Sequence, residues 1–212
     1  MPSTTYYKLP EEKRMRIFQA AVNEFAQRNV EAANLANIIT EAKIPRGSLY
    51  QYFADRDDLY IHVIETLRDK RAEYTESAYK MYKKEPFLVF FEELYIRDSE
   101  FMLKNPQQLD IGKHLYGYVS GVTHKLIQKY RNHYRGVFLI GIDYDIDRGI
   151  IRPDLDREIL ADLCVHLITD VFIYQNLYSI LTYDDIRKRT REIMAILRDG
   201  IAAKRPESKG IK

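Results

Sequence analysis

Prolines punctuate this chain where a helix can begin. Pro10, Pro45, Pro86 and Pro106 each stand before a stretch that reads as helix. Proline fixes φ and lacks an N–H, so it suits a first helical turn and disrupts any later one. The spacing therefore predicts a series of separate helices. From Pro10 to about Arg28, the apolar positions Ile17, Phe18, Ala21, Val22 and Phe25 form one helical face. Glu11 and Glu12 lie near the positive end of that helix dipole. Asn29, just past its end, is expected to close it in the left-handed conformation. Asn34 is expected to cap a short second helix with the stripe Leu35, Ile38, Ile39 and Ala42. Lys43-Ile44 reads as a turn, and Pro45 opens another short helix to about Tyr52.

The remainder reads as longer helices. Asp55 caps one that runs through Leu59, Val63, Ile64 and Leu67 towards Tyr82. Others cover Phe87 to Leu103, a segment from Asn105-Pro106, and Tyr118 to Tyr144, where Gly121, Gly136 and Gly141 weaken the pattern. Arg148 to Asp154 is a break. Leu155 to Leu181 is apolar-rich, and Thr182 can cap a last helix from about Asp184 to Ala203. The domains expected are 1–55, 56–204 and a basic, disordered tail at 205–212.

Composition narrows the classes. With 212 residues, only 9 glycines and 7 prolines, a turn-rich β fold is disfavoured, and an all-α chain is expected. The single cysteine, Cys164, excludes an internal disulfide and a cysteine-rich metal site. No apolar run approaches the ~18 residues of a membrane span, and the N-terminus lacks an apolar signal region. The expectation is a soluble intracellular protein. There is no His-Glu-x-x-His, no phosphate-binding glycine loop and no dinucleotide fingerprint, and the five histidines form no close ligand pair. No catalytic residue, metal or cofactor is expected.

Two short helices joined by a tight turn, after a supporting first helix, make the pattern of a helix-turn-helix. Such a unit sets its second helix in the DNA major groove. Within Pro45 to Phe53, Leu49 and Phe53 face inward, while Gly47 and Gln51 point the opposite way. Ser48, Tyr50 and Tyr52 flank that outward face. Gly47 allows close approach to a phosphate. Ser48 and the hydroxyls of Tyr50 and Tyr52 can donate to phosphate oxygens. Gln51 suits a bidentate contact to adenine, and Lys43, Arg46 and Arg56 supply cations around the helix. The competing reading is that Tyr50, Tyr52 and Phe53 pack one small core. The net charge is only +2, and residues 1–56 carry eight basic against six acidic side chains. Placement of charge, rather than its amount, carries the argument for DNA.

Ile17 to Phe53 resembles the N-terminal domain of the TetR family of bacterial transcriptional regulators. The matching stretches are Arg16 to Ala21, Glu24-Phe25-Ala26, and Ile38 with Ala42. The most specific block is Gly47-Ser48-Leu49-Tyr50-Gln51-Tyr52-Phe53, followed by Arg56-Asp57-Asp58-Leu59. Asn29 and Lys43 stand where the family commonly has glycine, and Asn34 where it has threonine or serine. The resemblance implies an all-α homodimer: a three-helix helix-turn-helix domain, then a helical ligand-binding and dimerisation domain, about nine helices in all. It implies a pseudo-palindromic double-stranded operator and dimerisation through the last two helices. Ligand binding in such proteins moves the heads out of register.

The body is rich in aromatics, and Phe91, Tyr95, Met102, Tyr118, His133 and Tyr174 are the candidates to line a pocket for a small apolar or aromatic effector. Core packing competes for each of them. The expected function is a ligand-responsive, cytoplasmic bacterial repressor released from its operator by a small organic molecule. The alternative is a helical enzyme or small-molecule carrier whose helix-turn-helix is purely structural.

Overall fold

The computed structural model describes residues 1–171 and 182–199, and the described residues contain helices and no strand. Ten helices follow in order: α1 (Thr4–Tyr7), α2 (Glu11–Gln27), α3 (Leu35–Glu41), α4 (Arg46–Tyr52), α5 (Arg56–Tyr79), α6 (Phe87–Lys104), α7 (Pro106–Gly117), α8 (Gly121–Asp147), α9 (Arg157–His166) and α10 (Tyr183–Asp199). A wider helical turn, Leu167–Val171, continues α9. Pro10, Pro45 and Pro86 cap α2, α4 and α6, and Pro106 is the first residue of α7. No described helix is long and apolar enough to cross a membrane.

The head is held by one apolar core. The stripe of α2 meets Ile38 of α3, Leu49 of α4, Phe53, and Leu59, Tyr60 and Val63 of α5. The same cluster continues into the body through Ile111 and Leu115 of α7 and Val122 and Leu126 of α8. Glu24 fixes the loop between α2 and α3. Its buried carboxylate accepts from the Asn34 backbone N–H at 2.7 Å, from Asn37 Nδ2 at 3.0 Å and from Arg28. Burial opposes its charge, but these donors outweigh that and hold its carboxyl below the usual range.

Two turn expectations need correcting or completing. Asn29 does not close α2 in the left-handed conformation. Its side-chain oxygen instead accepts from the backbone N–H groups of Glu31 and Ala32, an Asx turn that offers local donors a nearer partner. Lys43 is the left-handed residue, with φ of 53°. Asn34 caps α3 as expected, accepting from Ala36 N–H at 2.9 Å.

The second core is aromatic. Phe87, Phe90, Phe91 and Tyr95 of α6 pack with Phe138 and Ile142 of α8, Cys164 of α9 and Met194 of α10. Gly141, which weakened the pattern in α8, has a packing reason. A Cβ there would lie 2.9 Å from Phe87 Cδ2 and 3.2 Å from Tyr82 Cε2. Asp145 of α8 reaches across to accept from the first N–H of α6, Phe87 N, at 2.6 Å. The expected helix Leu155 to Leu181 begins at Arg157, capped by Asp156, and its part beyond 171 lies outside the described residues. So does the 205–212 tail.

Candidate nucleic-acid interface and body cavity

Leu49 of α4 and Phe53 at its C-cap are buried, and Gly47, Tyr50 and Gln51 are exposed, with Tyr50 at 59%. Ser48 is half-buried, while Lys43 and Arg46 stand exposed at the start of the helix. A Cβ on Gly47 would meet nothing within 4 Å. No packing within the protein therefore demands glycine there.

Two expected contacts change. Tyr52 is only 4% exposed, and its ring packs beside Tyr6 at 6.2 Å. It is a core residue rather than a phosphate contact, because the helical rotation that exposes Gln51 turns position 52 towards α1. Arg56 is half-buried, and its Nη1 donates to the Glu31 carbonyl at 2.6 Å. It ties the start of α5 to the loop before α3. Its guanidinium is thus engaged in positioning the head.

Sequence reasoning missed α1 entirely. Ser3 N–H donates to Tyr52 O at 2.8 Å and Ser3 Oγ to Gln51 O at 2.7 Å, so two terminal carbonyls of α4 receive donors from the N-terminal arm. Tyr6 inserts between Phe53 and His62, with ring centroids 4.9 and 5.1 Å away. The Tyr6 hydroxyl lies 3.1 Å from His62 Nε2. Burial lifts the Tyr6 pKa to about 12 and lowers that of His62, although Asp58 partly opposes the latter. A four-residue helix carries no periodicity, so only the paired Tyr6-Tyr7 could have drawn attention to it.

Residues 17–63 match the family model described as bacterial regulatory proteins, tetR family. Over those residues the chain is similar to the TetR family. The chain is also similar to the HTH-type transcriptional regulator HbdR of Aromatoleum, 36% identical over 62 residues, which is 29% of this chain and 27% of that protein. The match thus spans little more than a quarter of that relative's length. Across nearly the whole chain, the fold is that of a TetR family transcriptional regulator from Chloroflexus aurantiacus. That structure gives a TM-score of 0.68 with 23% identity, covering 94% of this chain and 98% of the other. It is also that of the regulator FadR from Bacillus subtilis in complex with stearoyl-CoA, with a TM-score of 0.72, 16% identity and coverage of 89% and 99%. At these identities the likeness is one of fold.

Below the TetR-type head, α5 leaves the first core and runs into the body. There it borders a cavity of about 90 Å³ between α5, α7, α8 and the turn after α9. Met102 lines it. A recess of about 110 Å³ adjoins it across Arg68, Arg71, Tyr130 and Tyr134, and exposed His133 borders that recess. The other candidates fall elsewhere. Phe91 and Tyr95 are buried in the aromatic core, with the Phe91 ring against Phe138 of α8. Tyr118 is 39% exposed and donates to Glu31 Oε2 at 2.7 Å, so it clasps the head loop from outside. Tyr174 lies outside the described residues.

The polar wall of the cavity was not anticipated. Arg71 makes a bidentate ion pair with buried Asp98 on α6. Burial disfavours the guanidinium charge, but Asp98 more than compensates and raises its pKa. Arg68 lies over the Tyr130 ring at 5.4 Å. Scattered through sequence as Arg68, Arg71, Asp98 and Tyr130, these residues carry no motif. A route also links α7 to the head. Gln107 Nε2 donates to Asn23 Oδ1 at 2.6 Å, and Gln19 Nε2 donates to Gln107 Oε1 at 3.1 Å. Asn23 Nδ2 in turn donates to Glu41 at the end of α3.

Proposed function

We propose that this chain is a ligand-responsive transcriptional regulator, a cytoplasmic bacterial repressor without enzymatic activity. The observation that carries the reading is the exposed face of α4, set on a rigid core whose long α5 continues to a body cavity. Gly47, Ser48, Tyr50 and Gln51 would meet the major groove, with Gln51 reading a base and Lys43 and Arg46 at phosphates. Arg56 holds the head in register instead of supplying a main phosphate contact.

A homodimer would bring two such helices to successive major grooves, about 34–36 Å apart, on a pseudo-palindromic operator. Exposed Ile159 and Leu163 on α9 and Ile196 on α10 support pairing through the last helices. An effector would act by binding the DNA-incompetent arrangement more tightly than the competent one. Its signal could pass along α5 and through α7 to Asn23 and Glu41. The division 1–55, 56–204 and 205–212 would then be one of role: a DNA-reading head, an effector body and a basic tail.

The test is selection of bound fragments from genomic DNA with the purified chain. Recovery of a two-fold-related sequence supports the reading. Gln51→Ala should relax preference at one operator position while leaving affinity for random DNA unchanged. Recovery of random fragments only would favour the carrier or enzyme alternative.

A further inference from the structure

The body cavity is divided in character. One side is apolar, formed by Ile64, Leu67, Met102, Ile111, Leu115 and Ile168. The other side holds donors. Tyr130 is 8% exposed, and its buried hydroxyl, with the Glu65 carboxylate beside it, makes no hydrogen bond of normal geometry among the described residues. Arg68 Nε is buried and unpartnered in the same way. Buried donors in native proteins are nearly always paired, so two on one wall call for an acceptor.

The surrounding charges say which acceptor. Arg71 is already matched by Asp98, and its fork is occupied. The outer end of Arg68 leans towards Asp69 at 3.2 Å and Glu65 at 3.6 Å. Glu65 is shared with Lys129, and Asp69 is 68% exposed, where solvent screens it. Inside the cavity, the unsatisfied groups are therefore donors attached to a cation and a phenol. Burial, with Glu65 beside it, keeps the Tyr130 hydroxyl protonated and able to donate.

Resting on the reading of the body as an effector domain, we propose that this cavity binds a compact monocarboxylic acid. The carboxylate would accept from Tyr130 Oη and Arg68 Nε, and the hydrocarbon part would lie between Ile64, Met102 and Ile111. Size sets the scale. A cavity of about 90 Å³ holds roughly six to nine waters at ~10–15 Å³ each. That is the room of a single ring with a short side chain.

The experiment is calorimetric titration of the full chain with 3-phenylpropanoate, and with 3-phenylpropanamide as the uncharged match. The acid is expected to bind at least tenfold more tightly than the amide, since hydrogen bonds to a charged acceptor are the stronger class. Tyr130→Phe, which removes one oxygen and keeps the ring, should weaken the acid about tenfold and the amide by clearly less. Arg68→Met should do the same. Equal binding of acid and amide, no effect of either variant, or binding of a long-chain acyl-CoA alone overturns the proposal. DNA selection on the same preparation separates it from the reading on which it rests. Selective DNA binding without acid binding refutes the ligand class alone. Acid binding without selective DNA binding refutes the regulator and leaves the site.

Discussion

Removing the Tyr6 ring tests whether the N-terminal arm braces α4. Tyr6 is 3% exposed and touches Phe53 and His62. Truncating a buried aromatic to alanine costs about 3–5 kcal/mol when the site cannot adjust. This site can adjust, because the arm can leave. Undocking returns about 1–2 kcal/mol of backbone entropy per freed residue. Tyr6→Ala is therefore expected to lower global stability by only about 1–3 kcal/mol. At about 2–4 °C per kcal/mol for a chain of this size, the melting temperature should fall by several degrees. The local effect is larger and more specific. An undocked arm takes away the two donors that Ser3 gives to Gln51 O and Tyr52 O. At about 0.5–1.5 kcal/mol each, their loss should speed amide exchange near the end of α4 about tenfold or more. Hydrogen-exchange mass spectrometry of peptides covering 46–54 reads this directly, with α10 peptides as the internal control. A lower melting temperature with unchanged exchange in 46–54 would refute the bracing and leave Tyr6 as an ordinary core residue.

Three further outcomes are expected. Gly47→Ala should stabilise α4 by roughly 0.5–1 kcal/mol, because the added methyl meets no protein atom, and yet should weaken DNA binding. Thermal melts paired with DNA titration check both signs, and unaltered DNA affinity would count against the proposed close approach. Gly141→Ala should cost about 1–3 kcal/mol in denaturant unfolding, since its Cβ must displace the buried Phe87 ring. His62 is held neutral by burial, so the unfolded chain binds its proton more readily than the folded one. Its contribution is present above the ordinary pKa of 6.5 and is lost as pH falls below it. The pH dependence of melting in that window should flatten in His62→Gln, and an unchanged slope would remove His62 from the account.

Much of the architecture was legible because helix starts are chemically marked. Pro10, Asn34, Pro45, Asp55, Pro86 and Asp156 each stand at the cap or first turn of a helix, where local chemistry suffices. The outward face of α4 was legible for the same reason, as a rotation about one short axis. Tyr52 was misplaced because its environment comes from Tyr6, some forty-six residues away in sequence. Phe91 and Tyr95 show the complementary limit. Periodicity says that they point inward, but whether inward means a core or a cavity depends on which helix lies opposite. The Arg71–Asp98 pair and the Tyr130 hydroxyl belong to the same class, being assembled from α5, α6 and α8 only after folding.

The first core has a consequence for how the molecule melts. Its apolar cluster draws on α5, α7 and α8 as well as on the helix-turn-helix, so the two regions share one interior. A fragment cut after residue 55 would lose Leu59, Tyr60 and Val63 from its own interior and would expose their partners to water. Reading head and body as beads on a string is therefore unsuitable for this chain. Calorimetry should record one cooperative transition. A molecule that binds the folded body in preference to the unfolded chain should then raise the melting point of α4 along with that of its own site.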